Sequence, residues 1–201
     1  MADRRLRPNI GDMTDRHFAL FETAIGVCGI VWGARGICGV QLPQATAAAT
    51  RARLMHRHPG AREAAPSPQA QRAIDGIVAL LSGAPASFDG VDLDFGKAPA
   101  FNRKVYDIAR RIPAGQTMTY GEVAERLGDK LLARDVGTAM GENPIPLIVP
   151  CHRVLAAGGK TGGFSAAGGV VTKLKLLTIE GAEPGGRGLF DRLPLEARRR
   201  G

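Results

Sequence analysis

The sequence predicts an α+β fold. Three observations carry that reading: glycine-punctuated runs of strand-forming residues from Phe18 to Val40, an apolar stripe at helical spacing within Gln69 to Leu81, and a change to helical patterning after Gly96 to Pro99. The first 16 residues are polar and Arg-rich without sustained periodicity, so residues 1–16 read as a flexible basic N-terminus. From Phe18 to Val40 the apolar runs are separated by Gly-containing turns, which predicts an antiparallel meander. Ala45 to His58 and Gln69 to Leu81 are helical in composition, and Pro59 to Pro68 reads as the loop between them. In the second helix Ala73, Ile74, Ile77, Val78 and Leu81 share a face. Residues 17–98 thus form a first domain.

The second domain, residues 99–183, opens with a helix over Phe101 to Ala109 that Ile112-Pro113-Ala114-Gly115 stops. Thr119 and Glu122 have the spacing of a capping box, followed by apolar Val123, Ala124 and Leu127 and closed by Gly128. A further helix from Leu132 to Glu142 places Val136 and Met140 on one face. The two short helices make a helix-turn-helix candidate, though such pairs also serve as plain packing units. Residues 184–201 mix Pro, Gly and Arg and read as a flexible basic tail.

The net charge of +8 is a weak pointer to a polyanionic partner. Residues 99–183 carry 11 basic against 8 acidic side chains, and the last 18 carry 5 against 2, so most of the excess lies in the second half. Arg198-Arg199-Arg200 reads as a solvated end, with nonspecific attraction to phosphates as the alternative. No stretch approaches the roughly 18 apolar residues of a membrane span, and the Arg-rich start lacks the apolar core of a secretory signal. A cytoplasmic location and a monomer are expected. The three cysteines, Cys28, Cys38 and Cys151, form no C-x-x-C pair, which argues against zinc. Cys28 and Cys38 read as small core hydrophobes, and His17, His56 and His58 as surface residues.

Chemistry concentrates in Pro150-Cys151-His152-Arg153-Val154. A thiol attacks carbon as its thiolate, and an unperturbed cysteine is only a few per cent ionised at neutral pH, so the adjacent His152 is the natural base. Neighbouring residues of a strand face opposite ways, so direct contact requires a bend at Cys151 or a water between the two. Arg134, near the start of the second short helix, is either a surface charge beside Asp135 or a group that reaches the base stack or a phosphate.

From Ile112 to Gly181 the chain resembles the O6-alkylguanine-DNA alkyltransferases, also called methylated-DNA-protein-cysteine methyltransferases. The matching pieces stand in order: Ile-Pro-Ala-Gly at 112–115, Thr119-Tyr120-Gly121, Ala133-Arg134 with Val136-Gly137, Ala139-Met140, Asn143-Pro144, Pro150 to Val154, Gly162-Gly163-Phe164-Ser165 and Lys173 to Gly181. The resemblance implies a ribonuclease-H-like α/β domain followed by a mainly helical, winged helix-turn-helix-like catalytic domain. It implies that the damaged guanine of duplex DNA is flipped out and its O6-alkyl group transferred to Cys151, with no cofactor and no metal. O6-methylguanine is the expected lesion, with O4-methylthymine left open.

The resemblance also implies roles. His152 takes the thiol proton through a water, Glu180 holds the imidazole, Asn143 braces the turn that carries the nucleophile, and Tyr120 donates toward the base. The carbonyls of Cys151 and Val154 read the exocyclic amine, Ser165 faces O6, Met140 walls the flipped base, and Arg134 fills the vacated stack. A thioether is a poor leaving group, so one transfer per molecule is expected. Phe164 replaces the family's usual Tyr, and Ser165 to Gly169 is about two residues longer than the usual turn. A lesion binder without transfer, a transcription regulator and a cysteine hydrolase are the competing classes, and none accounts for Asn143, Cys151 and Glu180 together.

Overall fold

The computed structural model describes residues 15–182 and is a mixed α+β structure with a small sheet and helices. The expectations for the basic ends, apart from Asp15 and Arg16, fall outside the described residues. The meander forms as expected from β1 (His17–Phe21), β2 (Cys28–Gly33) and β3 (Gly36–Gln41), with both pairs antiparallel. Gly36 sits at φ +121°, where a Cβ would lie 2.3 Å from the Asp92 carbonyl oxygen, so only glycine lets that segment approach and bond to Ile37.

Helix α1 (Ala47–Arg57) starts at Thr46, whose hydroxyl accepts from the Ala49 amide, and α2 (Pro68–Leu81) starts at Ser67 with proline in the first turn. The segment between them is not only a loop. Arg62–Glu63 form β4, which adds to β1 in parallel and gives the sheet order β3-β2-β1-β4. Two residues without alternating polarity give no strand signal, and pairing with β1 rather than local pattern makes this strand.

The sheet is covered on both faces. Ile30, Trp32, Ile37 and Val40 pack with Ala73, Ile74, Ile77 and Leu81 of α2, while Phe18, Val31 and Cys38 pack against Leu54 of α1. His58, expected at the surface, is instead half-buried against Gly39, where a Cβ would meet its Nε2 at 2.4 Å. Glycine at 39 creates the space that the ring fills. Cys28 and Cys38 are buried in strands, and burial pushes their thiols up to about 12 and about 11.

The second half packs α3 (Ala100–Arg110), β5 (Met118–Thr119), α4 (Tyr120–Arg126), α5 (Ala133–Gly141), β6 (Val154–Leu155) and α6 (Val170–Ile179). The capping box forms: the Glu122 amide donates to Thr119 Oγ1 at 3.1 Å, and the Glu122 carboxylate accepts from the Thr119 amide. Tyr106 of α3, buried among α4 and α5, donates its hydroxyl to the Ala139 carbonyl at 3.1 Å. The two halves meet where the Val40 amide of β3 donates to the Pro144 carbonyl at 3.0 Å. Among the described residues no helix is long and apolar enough to cross a membrane.

Burial, with Arg57 and Arg16 nearby, lowers the His58 pKa from 6.5 to about 4. The unfolded chain therefore binds a proton that the folded chain refuses, and stability is full above pH 6.5 and falls as pH drops toward 4. Unfolding free energies from denaturant titration at pH 7.5 and pH 5 are expected to differ by up to about 2 kcal/mol in the wild type through His58. The gap should narrow in His58→Gln.

Candidate active site

The nucleophile is carried by a loop whose shape is imposed from both sides. Asn143 donates its side-chain amide to the Val149 carbonyl at 2.8 Å and accepts from the Ile145 amide at 3.0 Å, closing Ile145 to Val149 into a compact turn. Leu147 within it holds φ +75°, a left-handed conformation that costs a β-carbon-bearing residue of order 1–2 kcal/mol. Burial of Ile145, Leu147 and Ile148 in the α2–sheet cluster holds it there. This apolar run is therefore a braced turn rather than a strand. After Pro150, residues Cys151–Arg153 form one 3-10 turn, in which successive side chains are about 120° apart rather than opposed. That turn bends the chain at Cys151 without forming a hydrogen bond between the thiol and His152 among the described residues.

Behind the sulfur lies a buried ionic cluster. His152 is fully buried, and its Nε2 is 2.8 Å from Glu180 Oε1. Arg153 donates Nε to Glu180 Oε2 at 2.8 Å, Nη2 to Oε1 at 2.9 Å and Nη1 to the Ile112 carbonyl at 2.6 Å. Glu180 caps the end of α6 with its side chain 2% exposed, far from the solvated helix-end acid that its position suggests in isolation. Burial pushes its carboxyl up, but the bonds and charges of His152 and Arg153 outweigh that and hold it at about 2. Burial also pushes the His152 imidazole down, against the pull of Glu180. With Nε2 bound to a carboxylate, the proton belongs on Nε2 and Nδ1 is left as an acceptor. Nδ1 is buried without a hydrogen-bond partner among the described residues.

The Cys151 thiol is raised by burial, opposed by the Asn143 amide, the Lys173 charge and the backbone amides of Cys151 and His152. It rests protonated. Lys173 is fully buried, donates Nζ to the Val154 carbonyl at 2.6 Å and lies 5.8 Å from the centre of the Tyr120 ring. Desolvation lowers its pKa to about 8, so it keeps its charge at neutral pH.

A cavity of about 540 Å³ opens on the sulfur. Tyr120, Arg134, Met140, Cys151, Phe164 and Ser165 all line it, with Gly137, Thr138, Gly141 and Gly163. Tyr120 begins α4, and burial followed by the Cys151 charge raises its pKa, keeping the hydroxyl a donor. Arg134 is exposed at the start of α5, Met140 is buried on the same helix, and Ser165 donates to the Gly141 carbonyl at 3.2 Å. His152, Glu180, Asn143 and Val154 do not line this cavity. They stand behind it, and the Val154 carbonyl is already bonded to Lys173.

Two members of the cluster went unassigned in the sequence. Lys173 carried a readable signal, since it falls in line with Leu176 and Leu177 on the buried face of α6, where a lysine is out of place without a task. Arg153 had none, because its partner is 27 residues away.

A buried cysteine backed by a hydrogen-bonded histidine–carboxylate pair, with the short helices α4 and α5 beside it and a cavity in front, makes this a candidate thiol centre. The family model described as the DNA binding domain of 6-O-methylguanine DNA methyltransferase matches residues 100–182. The methylated-DNA–protein-cysteine methyltransferase of Methanothermobacter thermautotrophicus is 35% identical over 153 residues, covering 76% of this chain and 78% of that protein. The crystal structure of the Mycobacterium tuberculosis O6-methylguanine methyltransferase aligns with TM-score 0.65 and 32% identity over 83% of this chain and 93% of its own. The M. tuberculosis protein in complex with DNA gives TM-score 0.66 and 31% identity over 82% and 92%. The chain belongs to the methylated-DNA–protein-cysteine methyltransferase family.

Glu180→Gln leaves Arg153 buried without a counter-charge, and urea unfolding should show a loss of about 3–5 kcal/mol at pH 7. In the wild type the Glu180 contribution is complete above pH 4.5 and is lost as pH falls toward 2, so the difference between the two proteins should shrink over that interval.

Proposed function

We propose that this protein repairs duplex DNA by flipping an O6-alkylguanine into the cavity beside Cys151 and moving the alkyl group to its own sulfur. The observation that carries the reading is the buried, unpartnered Nδ1 of His152, next in the chain to the thiol and clamped through Nε2 to Glu180. A water between Sγ and Nδ1 passes the thiol proton to the imidazole, and Glu180 stabilises the imidazolium. Lys173 and the Asn143 amide hold the thiolate formed. The sulfur attacks the alkyl carbon in line, the carbon–O6 bond breaks, and Tyr120 donates to the purine as charge develops on it. Met140 walls the base, Ser165 faces O6, the Cys151 carbonyl accepts from the exocyclic amine, and Arg134 occupies the gap in the stack. The thioether does not leave, so the protein acts once.

For the fold, the order β3-β2-β1-β4 with three antiparallel strands and a parallel fourth supports a ribonuclease-H-like domain over residues 17–98. The α4–α5 pair supports a winged helix-turn-helix-like domain over residues 99–183. A cytoplasmic monomer fits three cysteines that are all free.

Mass spectrometry after mixing with a duplex holding one O6-methylguanine should show one added methylene on the Cys151 peptide, absent from Cys151→Ala. Binding without a mass change would favour lesion recognition alone. In Lys173→Met the pH profile of Cys151 alkylation should move upward and transfer slow by roughly tenfold or more at pH 7. An unmoved profile would reduce Lys173 to a tether for Val154.

A further inference from the structure

Tyr120 and Arg134 line two cavities at once. One is the cavity of about 540 Å³ that opens on the sulfur, and the other, of about 560 Å³, is lined also by Lys130, Ala133, Ala156 and Ala157. The two side chains are thus the partition between the pocket at Cys151 and a neighbouring groove. A duplex that delivers a nucleotide to the pocket lies across that partition, so the nucleotides flanking the lesion meet the groove and its rim.

Leu131 stands on that rim, between Lys130 and Ala133 in the chain. It is 89% exposed, the most exposed large apolar side chain among the described residues. A single exposed leucine is ordinary on a protein surface, but this one is held out by its surroundings. Lys130–Leu132 form a 3-10 turn tied to Asp129: the Leu131 amide donates to Asp129 Oδ1 at 2.8 Å, and the Leu132 amide donates to the Asp129 carbonyl at 3.2 Å. Leu132 packs into the cluster among α3, α4 and α5, while Leu131 belongs to none of the buried clusters. The Ala133 backbone is helical and leads into α5, so Leu131 and Arg134, three residues apart, share a face. Cations on either side suit phosphates, and an apolar tip between them suits the faces of bases.

Extrusion of a nucleotide leaves a gap that its neighbours close by restacking, and inserted apolar side chains keep such a step apart. We propose that Leu131 is a wedge that works with Arg134: Arg134 fills the place of the extruded base, and Leu131 packs on the base next to the gap and keeps the step from closing. The inference rests on the alkyl-transfer reading above and adds to it a residue that holds the duplex open.

Single-turnover transfer at saturating protein, which removes differences in affinity, is measured from O6-methylguanine in a paired duplex and in the same strand alone. The proteins are the wild type, Leu131→Ala and Leu131→Met, and 2-aminopurine beside the lesion reports unstacking of the flanking base through its fluorescence. At such exposure neither substitution touches the packed clusters. In Leu131→Ala the ratio of duplex to single-strand rates should fall about tenfold, with a weaker 2-aminopurine signal in the duplex, because only there is a stack to be opened. Leu131→Met keeps an apolar tip of similar volume and should retain both. A ratio that does not change, whether both rates fall or neither does, overturns the proposal, as does a loss in Leu131→Met equal to that in Leu131→Ala. If the wild type transfers from neither substrate, the alkyl-transfer reading has failed and not merely the wedge.

Discussion

The Glu180 carboxylate is the constraint on which the site depends. It ends α6, yet its oxygens are bonded to two consecutive residues of the nucleophile turn, His152 and Arg153, and Arg153 continues the chain of contacts to the Ile112 carbonyl beyond α3. One buried anion thus joins the last helix, the turn carrying the sulfur and the exit from the first helix of the second half. Desolvation makes such an ion costly unless its lone pairs are filled, and here three donors fill them. The same carboxylate determines which imidazole nitrogen carries the proton. Geometry and protonation state therefore have one cause.

The rest of the site follows from how charge is distributed around a buried thiol. Burial alone would leave Cys151 inert, as it leaves Cys28 and Cys38. What distinguishes Cys151 is the company of Lys173, the Asn143 amide and an imidazole with a bare nitrogen. These groups sit behind the sulfur, while Tyr120, Arg134, Met140 and Ser165 line the cavity in front of it.

Much of this was readable in the chain. The meander, both helices of the first half, the capping box at Thr119 and the Cys-His pair follow from periodicity, turn residues and thiol chemistry, all of which are local. The strand at Arg62–Glu63 escaped because two polar residues become a strand only when β1 offers an edge, and His58 escaped because its burial depends on the missing side chain of Gly39 across the sheet. The apolar run before Cys151 has strand composition, and only the Asn143 brace folds it into a turn. Resemblance to a family singled out Glu180 and Asn143. Composition did not, since their partners are distant in sequence or are backbone atoms.

The nucleophile loop draws its anchors from two packed clusters: Ile145, Leu147 and Ile148 belong to the one under the sheet, and Val149, Cys151 and Val154 to the one among α3, α4 and α5. The position of the sulfur is therefore not a local property. If the α2–sheet cluster loosens, nothing retains Leu147 in its left-handed conformation, and the backbone leading to Cys151 relaxes with it. The surroundings of Cys151 are therefore assembled only when both clusters are complete. For a protein that spends its thiol on a single event, the architecture acts as a safety catch against discharge before the molecule is finished.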